Sequence, residues 1–164
     1  MSQPARVTIV LLAGGQATRL PGKLALPVAG EPMLARVYRR LTERGHPCLV
    51  SSRAPLDPTL FSSIRANTVV DEYEDAGPLG GLVSAVAAVR TPLFFAAAGD
   101  LPDLDSTFIE RLVVEYDRFA HAGDAPKAVV PAWPDGKLEP LAALYDTAAF
   151  ALRAGKRWMR AGAR

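Results

Sequence analysis

The chain has 164 residues, 49% of them apolar, and a formal net charge of only +2. That length suits one domain with a substantial core, and so small a charge excess excludes a polybasic nucleic-acid surface. No apolar run is long enough to cross a bilayer, which excludes a membrane-spanning role.

The start, MSQPARVTIV, lacks the long apolar region of a signal peptide. Val7 to Leu12 is a continuous apolar, β-branched run, the pattern of a strand covered on both faces in a parallel sheet. Gly14 and Gly15 follow; without a Cβ they let the backbone turn sharply and aim N–H groups at phosphate oxygens. Arg19 and Lys23 add charge over the same spot, one as a planar fork and the other as a mobile point charge. Together they imply a polyphosphate ligand. The run is neither a GxxxxGK[ST] P-loop nor a GxGxxG dinucleotide fingerprint, which disfavours a Rossmann oxidoreductase. Taken singly, the glycine pair also reads as a tight turn, and each cation as a solvated surface charge.

Leu24 to Val28 reads as a short extended segment and Ala29 to Pro32 as a turn. Leu34, Val37, Tyr38 and Leu41 then recur at helical spacing, with Arg36, Arg39, Arg40 and Glu43 on a solvated face and Gly45 as the stop. Pro47 to Ser51 is a second strand, so the unit is β-loop-α-β with a right-handed crossover and parallel strands. Cys48, the single cysteine, excludes an internal disulfide, fits a reducing, cytoplasmic compartment and reads as core packing. Arg53 to Asn67 carries Pro55 and Pro58, then Leu60, Phe61 and Ile64, and predicts a loop with one short helix.

Thr68 to Val70 is a third strand ending on Asp71, at the edge where open α/β sheets collect ligands. The glycine-rich Gly77-Pro78-Leu79-Gly80-Gly81 opens a helix with Leu82, Val86 and Val89 inward; it suits an anion, a flat base or simply close packing. Leu93 to Ala98 is a fourth strand, ending in Gly99-Asp100-Leu101-Pro102. Asp100 is thus a carboxylate fixed at the sheet edge, and one carboxylate beside phosphate oxygens is what Mg²⁺ uses. Thr107 and Glu110 form a candidate capping box for a helix with Phe108, Leu112, Tyr116 and Phe119 inward. Two histidines are too few for a His-rich zinc site. Two short strands, Ala128 to Ala132 and Leu141 to Tyr145, flank an Asp135-Gly136 turn, an excursion suited to holding a second substrate. A final helix starts near Thr147.

Four features occur in order: Leu12-Ala-Gly-Gly15 with Arg19 and Lys23; Asp71 before Gly-Pro-Leu-Gly-Gly; Gly99-Asp100-x-Pro102; and Glu139-Pro-Leu-Ala-Ala-Leu-Tyr145. With Lys-Leu-x-Leu-x-x-x-Gly-x-Pro-Met-Leu after the first, the chain resembles the molybdenum cofactor guanylyltransferases of the MobA-like group over most of residues 7 to 160. The resemblance implies a three-layer α/β/α, Rossmann-like fold with a mostly parallel sheet, and transfer of GMP from Mg²⁺-bound GTP to molybdopterin with release of pyrophosphate. It implies that Leu12, Ala13, Gly14 and Gly15 hold the nucleotide, Arg19 the leaving phosphates and Lys23 the α-phosphate. Asp71 would face the guanosine and Asp100 would take the metal. Where the family often has Asn after its second strand, this chain has Ser51 and Ser52, and Ser51 is the candidate sugar contact. GTP and molybdopterin would be the partners, with transient contacts to other cofactor-biosynthesis proteins, and neither nucleic acid nor membrane. The family continues to an Asn-x-Asn-Thr-Pro segment, so residues 1 to 164 read as a single domain lacking that piece.

Three departures or alternatives stay open. Only Leu20, Pro21 and Gly22 separate Arg19 from Lys23, a shorter gap than the family's. Within transferases, a cytidylyltransferase of the same cofactor, or a sugar-1-phosphate or phospholactate nucleotidyltransferase, is the next reading; relatives using CTP tend to carry Leu-Ala-Ala-Gly, so Gly14 favours guanine. From another class, a non-catalytic nucleotide-binding module shares the same glycine loop.

Overall fold

One apolar run sets the centre of the sheet. Strand β1 (Val7–Leu12) is buried along its whole length. Its alternation sends Val7, Ile9 and Leu11 into one core cluster and Val10 and Leu12 into another, on the opposite face. A computed structural model describes residues 5–14, 22–59, 61–73, 76–123 and 125–161, with 156–161 given by backbone alone. In chain order the other elements are β2 (Pro27–Val28), β3 (Glu31–Pro32), α1 (Met33–Thr42), β4 (Cys48–Ser52), β5 (Asn67–Val70), α2 (Gly77–Val86), β6 (Leu93–Ala98), α3 (Ser106–His121), β7 (Ala128–Val129), β8 (Ala142–Asp146) and α4 (Thr147–Ala161).

The main sheet runs β5-β4-β1-β6-β8-β7. β5, β4, β1 and β6 are parallel neighbours, β8 runs antiparallel to β6, and the two-residue β7 pairs antiparallel with β8 at one margin. On one face Leu34, Val37 and Leu41 of α1 and Ile109, Leu112 and Tyr116 of α3 pack against Ile9, Leu11, Phe95 and Leu144. On the other face Leu82, Ala85 and Val86 of α2 meet Val10, Leu12, Phe94 and Ala96, with Phe150 of α4 packed alongside. Phe94 stacks on Tyr145 at 5.2 Å and receives Phe150 edge-on at 5.0 Å, which fixes α4 to the sheet. The result is the expected three-layer α/β/α architecture with a mostly parallel sheet. Among the described residues no helix is long and apolar enough to cross a membrane.

Several local expectations change. Lys23–Ala25 forms a 3₁₀ turn where an extended segment was expected, because Ala25 N–H donates to the Gly22 carbonyl at 2.9 Å and Leu26 N–H to that of Lys23 at 3.1 Å. The extended part is only Pro27–Val28, which pairs back onto Glu31–Pro32 through an Ala29–Gly30 turn with φ of 52° and 85°. Residues 53–59 and 61–66 contain turns and no helix. There Asp57 Oδ1 accepts from both the N–H and the hydroxyl of Thr59, and the Asp57 carbonyl accepts from Phe61 N–H at 2.9 Å, so the segment makes a side-chain-capped turn. The cap of α3 is Asp105, whose carboxylate accepts from Phe108 N–H at 3.1 Å, and not the Thr107–Glu110 box. The inward row of α3 continues from Tyr116 to Ala120, leaving Phe119 one position off it, 48% exposed under the Arg118 guanidinium.

Cys48 packs against the core, and burial pushes its thiol up to about 12. Ellman's reagent at pH 8 is therefore expected to label it only after denaturant is added; prompt labelling of the native protein would contradict this. At Gly99 an added Cβ would lie 2.8 Å from both the Leu12 carbonyl oxygen and Leu34 Cδ1. Gly99→Ala is expected to cost about 1–3 kcal/mol in urea unfolding, and a variant of unchanged midpoint would show that the two strand ends can separate freely.

Candidate active site

The C-terminal ends of the parallel strands share one edge, and the candidate residues gather there in two groups flanking β1. The first group stands at the end of β6. Ala98 N–H donates to the Leu141 carbonyl at 2.9 Å and Gly99 N–H to that of Leu12 at 3.0 Å, so the chain is pinned on both sides before it reaches Asp100. From across the edge, Lys23 Nζ reaches Asp100 Oδ2 at 2.6 Å. Lys23 is placed by its neighbour: Leu24 packs on the core, and its Cδ2 lies where a Cβ on Gly99 would come within 3.3 Å. The pair is open to solvent, with side chains 39% and 40% exposed, so an incoming ligand has access to both groups. An ion pair that accessible adds little to stability.

The second group lies on the other side of β1. Ser51, fully buried at the end of β4, donates its hydroxyl to Asp71 Oδ1 just past β5. A Cβ on Gly14 would sit 2.8 Å from Asp71 Oδ2, and one on Gly81 would sit 2.6 Å from Ser51 Oγ and 3.3 Å from Asp71 Oδ1. Two glycine backbones thus close on one carboxylate, and the close approach is what requires glycine at both positions. Ser84 fixes the turn after Asp71: its hydroxyl accepts from Glu72 N–H at 3.0 Å and donates to the Gly80 carbonyl at 3.0 Å. The N-cap of α2 is Ala76, which has no side-chain oxygen to offer the first turn, and Pro78 in that turn has no N–H to satisfy.

Lys23 therefore meets Asp100, while Gly14, Ser51 and Asp71 meet one another; Leu12 bridges the two, its carbonyl bound by Gly99 and its side chain beside Gly81. Ala13 N–H is held by the Ser51 carbonyl at 2.7 Å. Gly15 and Arg19 lie outside the described residues. Sequence reasoning singled out Gly81 within its glycine run but missed its approach to Ser51, and it missed Ser84 and two arginines of α1. Read as solvated, Arg36 in fact donates to the Pro102 carbonyl at 3.2 Å, and Arg40 to the Leu104 and Asp103 carbonyls at 3.3 and 3.2 Å and to Asp105 at 3.2 Å. They tie down the loop that follows Asp100. Backbone acceptors carry no mark in a sequence, and the only available signal was an acidic, proline-containing loop opposite a basic helix face. Arg39 does lie outward, on Glu31 at 2.7 Å.

A carboxylate at a strand end, a lysine on it and a glycine-lined polar niche one strand away offer the chemistry that a phosphorylated ligand would use. The sequence profile of the MobA-like NTP transferase domain matches residues 9–163. The chain belongs to the MobA-like NTP transferase family. Within this family, it is 37% identical to the molybdenum cofactor guanylyltransferase of Burkholderia vietnamiensis, over 94% of this chain and 80% of that one. The probable molybdenum cofactor guanylyltransferase of Natronomonas pharaonis is 34% identical over 84% and 67%. The MobA-like fold is shared with the molybdopterin-guanine dinucleotide biosynthesis protein A of Archaeoglobus fulgidus, at TM-score 0.69, 21% identity and coverage of 94% and 74%. A nucleotidyl transferase of Methanothermobacter superposes with TM-score 0.74 at 18% identity, covering 92% and 76%.

Ser51→Ala removes the donor that holds Asp71 and is expected to destabilise this MobA-like domain by about 1–3 kcal/mol in urea unfolding. An unchanged midpoint would mean that Asp71 is held by something else.

Proposed function

We propose that this chain is a molybdenum cofactor guanylyltransferase, moving GMP from GTP to the terminal phosphate of molybdopterin. A phosphate oxygen of the acceptor attacks the α-phosphorus of GTP, the bond to the bridging oxygen of the β-phosphate breaks, and pyrophosphate leaves. The observation that carries the reading is the Lys23–Asp100 pair at the sheet edge, across β1 from the Gly14–Ser51–Asp71 niche. The names of the relatives support the nucleotide and the acceptor.

Phosphoryl-type transfer asks the protein for positioning and positive charge more than for covalent chemistry. Lys23 supplies a cation to the α-phosphate, with Arg19 assigned to the leaving phosphates. The Gly14 and Gly15 backbone and Leu12 and Ala13 border the nucleotide, and Asp71, oriented by Ser51, accepts hydrogen bonds from the guanosine. The donor set fits Mg²⁺: Asp100 offers one accessible carboxylate, and among the described residues no cluster of three or more His, Cys, Asp or Glu forms a cage. A magnesium ion that takes one carboxylate and fills its remaining positions with phosphate oxygens and water needs nothing more. Bound there, it would neutralise charge on the triphosphate. Asp100 holds that position through the two backbone bonds at Ala98 and Gly99.

Purified protein incubated with molybdopterin and each NTP in turn, with pyrophosphate release as the readout, tests the assignment. GTP turnover is expected; CTP turnover without GTP turnover would overturn the nucleotide, and GTP binding without pyrophosphate release would favour a non-catalytic module. Lys23→Ala and Asp100→Ala are each expected to lower kcat by about 10²–10³-fold with an unchanged thermal midpoint, since an accessible ion pair contributes little to folding. Full activity in either variant would remove that residue from the site.

A further inference from the structure

Helix α1 follows directly on the hairpin behind Lys23, and its arginines reach the loop behind Asp100. They differ in exposure: the Arg39 side chain is 59% exposed and that of Arg36 only 18%. Withdrawing most of a guanidinium from water is costly unless its donors find partners, and Arg36 finds them on two segments at once. Its Nε donates to the Pro102 carbonyl at 3.2 Å, and its Nη1 lies 3.8 Å from Glu31 Oε1. Resting on the guanylyltransferase reading, we propose that Arg36 is a positioning residue for the transfer. It sets the place of Asp100 relative to Lys23, and with it the affinity of the site for a divalent cation, by acting through the two segments it ties rather than on substrate.

On the Asp100 side the need for such a tie is clear from the backbone. Before Asp100 the chain is pinned by the N–H groups of Ala98 and Gly99. After it comes Pro102, which has no N–H, so its carbonyl is the one backbone group at that position that can be anchored. Arg36 anchors it. Leu104 N–H then closes a turn on the Leu101 carbonyl at 3.1 Å, and Arg40 holds the far end through the Asp103 and Leu104 carbonyls. The Asp100 side chain is 40% exposed and gains little hold from packing, so its place follows from the fixed residues on either side.

On the Lys23 side the link runs along the main chain. The Lys23 carbonyl accepts from Leu26 N–H at 3.1 Å, and the Leu26 carbonyl from the N–H of Met33, the first residue of α1, at 3.0 Å. Between them, Glu31 pairs with Val28 in the hairpin and presents its carboxylate to Arg36 and Arg39. A planar guanidinium directs Nε–H and Nη–H along fixed, divergent lines, so one side chain can hold two segments at a set angle; an ammonium on a flexible stem cannot. Groups that support a metal ligand from behind typically change metal affinity or activity about 10–100-fold when removed.

The test uses the full chain carrying Arg36→Met, which keeps an apolar stem and removes the donors, beside Arg39→Met, which loses a contact to the same Glu31 but none to the loop. Arg36→Lys carries the same comparison if R36M does not fold. Without ligand, hydrogen exchange at the amides between Asp100 and Leu104 is expected to quicken about tenfold in R36M and to keep the wild-type rate in R39M. In pyrophosphate release with GTP and molybdopterin, R36M is expected to raise the Mg²⁺ activation constant about tenfold, with the KM for molybdopterin unchanged, while R39M matches wild type. In an Asp100→Asn background R36M is expected to lower the rate at fixed Mg²⁺ no further. Unaltered exchange in R36M overturns the proposal, and so does faster exchange with an unchanged Mg²⁺ constant, the outcome of a purely structural role. An R36M loss of the same size with and without the Asp100 carboxylate also overturns it. A wild-type protein inert with GTP overturns the guanylyltransferase reading instead, and the exchange comparison still decides whether Arg36 holds Asp100 in place.

Discussion

The site depends on how closely two strand ends can approach. The Gly99 N–H meets the Leu12 carbonyl at 3.0 Å in a space with no room for a Cβ, because Leu12, Leu34 and Leu24 already fill it. Three consequences follow from this one contact. β6 is clamped to β1 at the point where regular pairing stops, the next residue is forced to turn over the sheet edge, and that residue is Asp100. Leu24, packed on the same spot, brings Lys23 with it. A carboxylate and an ammonium that lie 77 residues apart in sequence are juxtaposed by the shape of a leucine cluster beneath them.

β1 also divides the edge. To one side the polar group is buried and locked: Ser51 has no exposure, and its bond to Asp71 is closed in by the backbone at Gly14 and Gly81. To the other side the charged pair is solvated. The difference in environment suits two tasks. A nucleoside is discriminated by hydrogen bonds whose loss is costly in a dry niche, whereas phosphates and their counter-ions need groups that can exchange partners.

Much of this was legible in the sequence because it was written in runs. β1 and β6 show as six-residue, largely apolar stretches leading to Gly14 and Gly99, β4 and β5 as shorter runs closed by Ser52 and Asp71, and the order of the motifs placed Lys23 and Asp100 together before any coordinates. What escaped was written in single bonds. Asp105 displaced the Thr107–Glu110 box as the cap of α3, and Asp57 caps a turn through Thr59. Arg36 and Arg40 carry the periodicity of a solvent face but are engaged with carbonyls more than sixty residues away. Ser51 drew attention only as a substitute for asparagine. Its burial shows a different use, because a hydroxyl spends its one proton on Asp71.

The shortness of β7 has a meaning of its own. It offers only Ala128 and Val129 to β8, and Pro131, which has no N–H, follows almost at once. A sheet margin that brief gives a passing strand too few donors and acceptors to zip onto, so the outermost position protects the protein against edge-to-edge polymerisation. The chain length saved at this border goes into the projecting hairpin that carries Trp133.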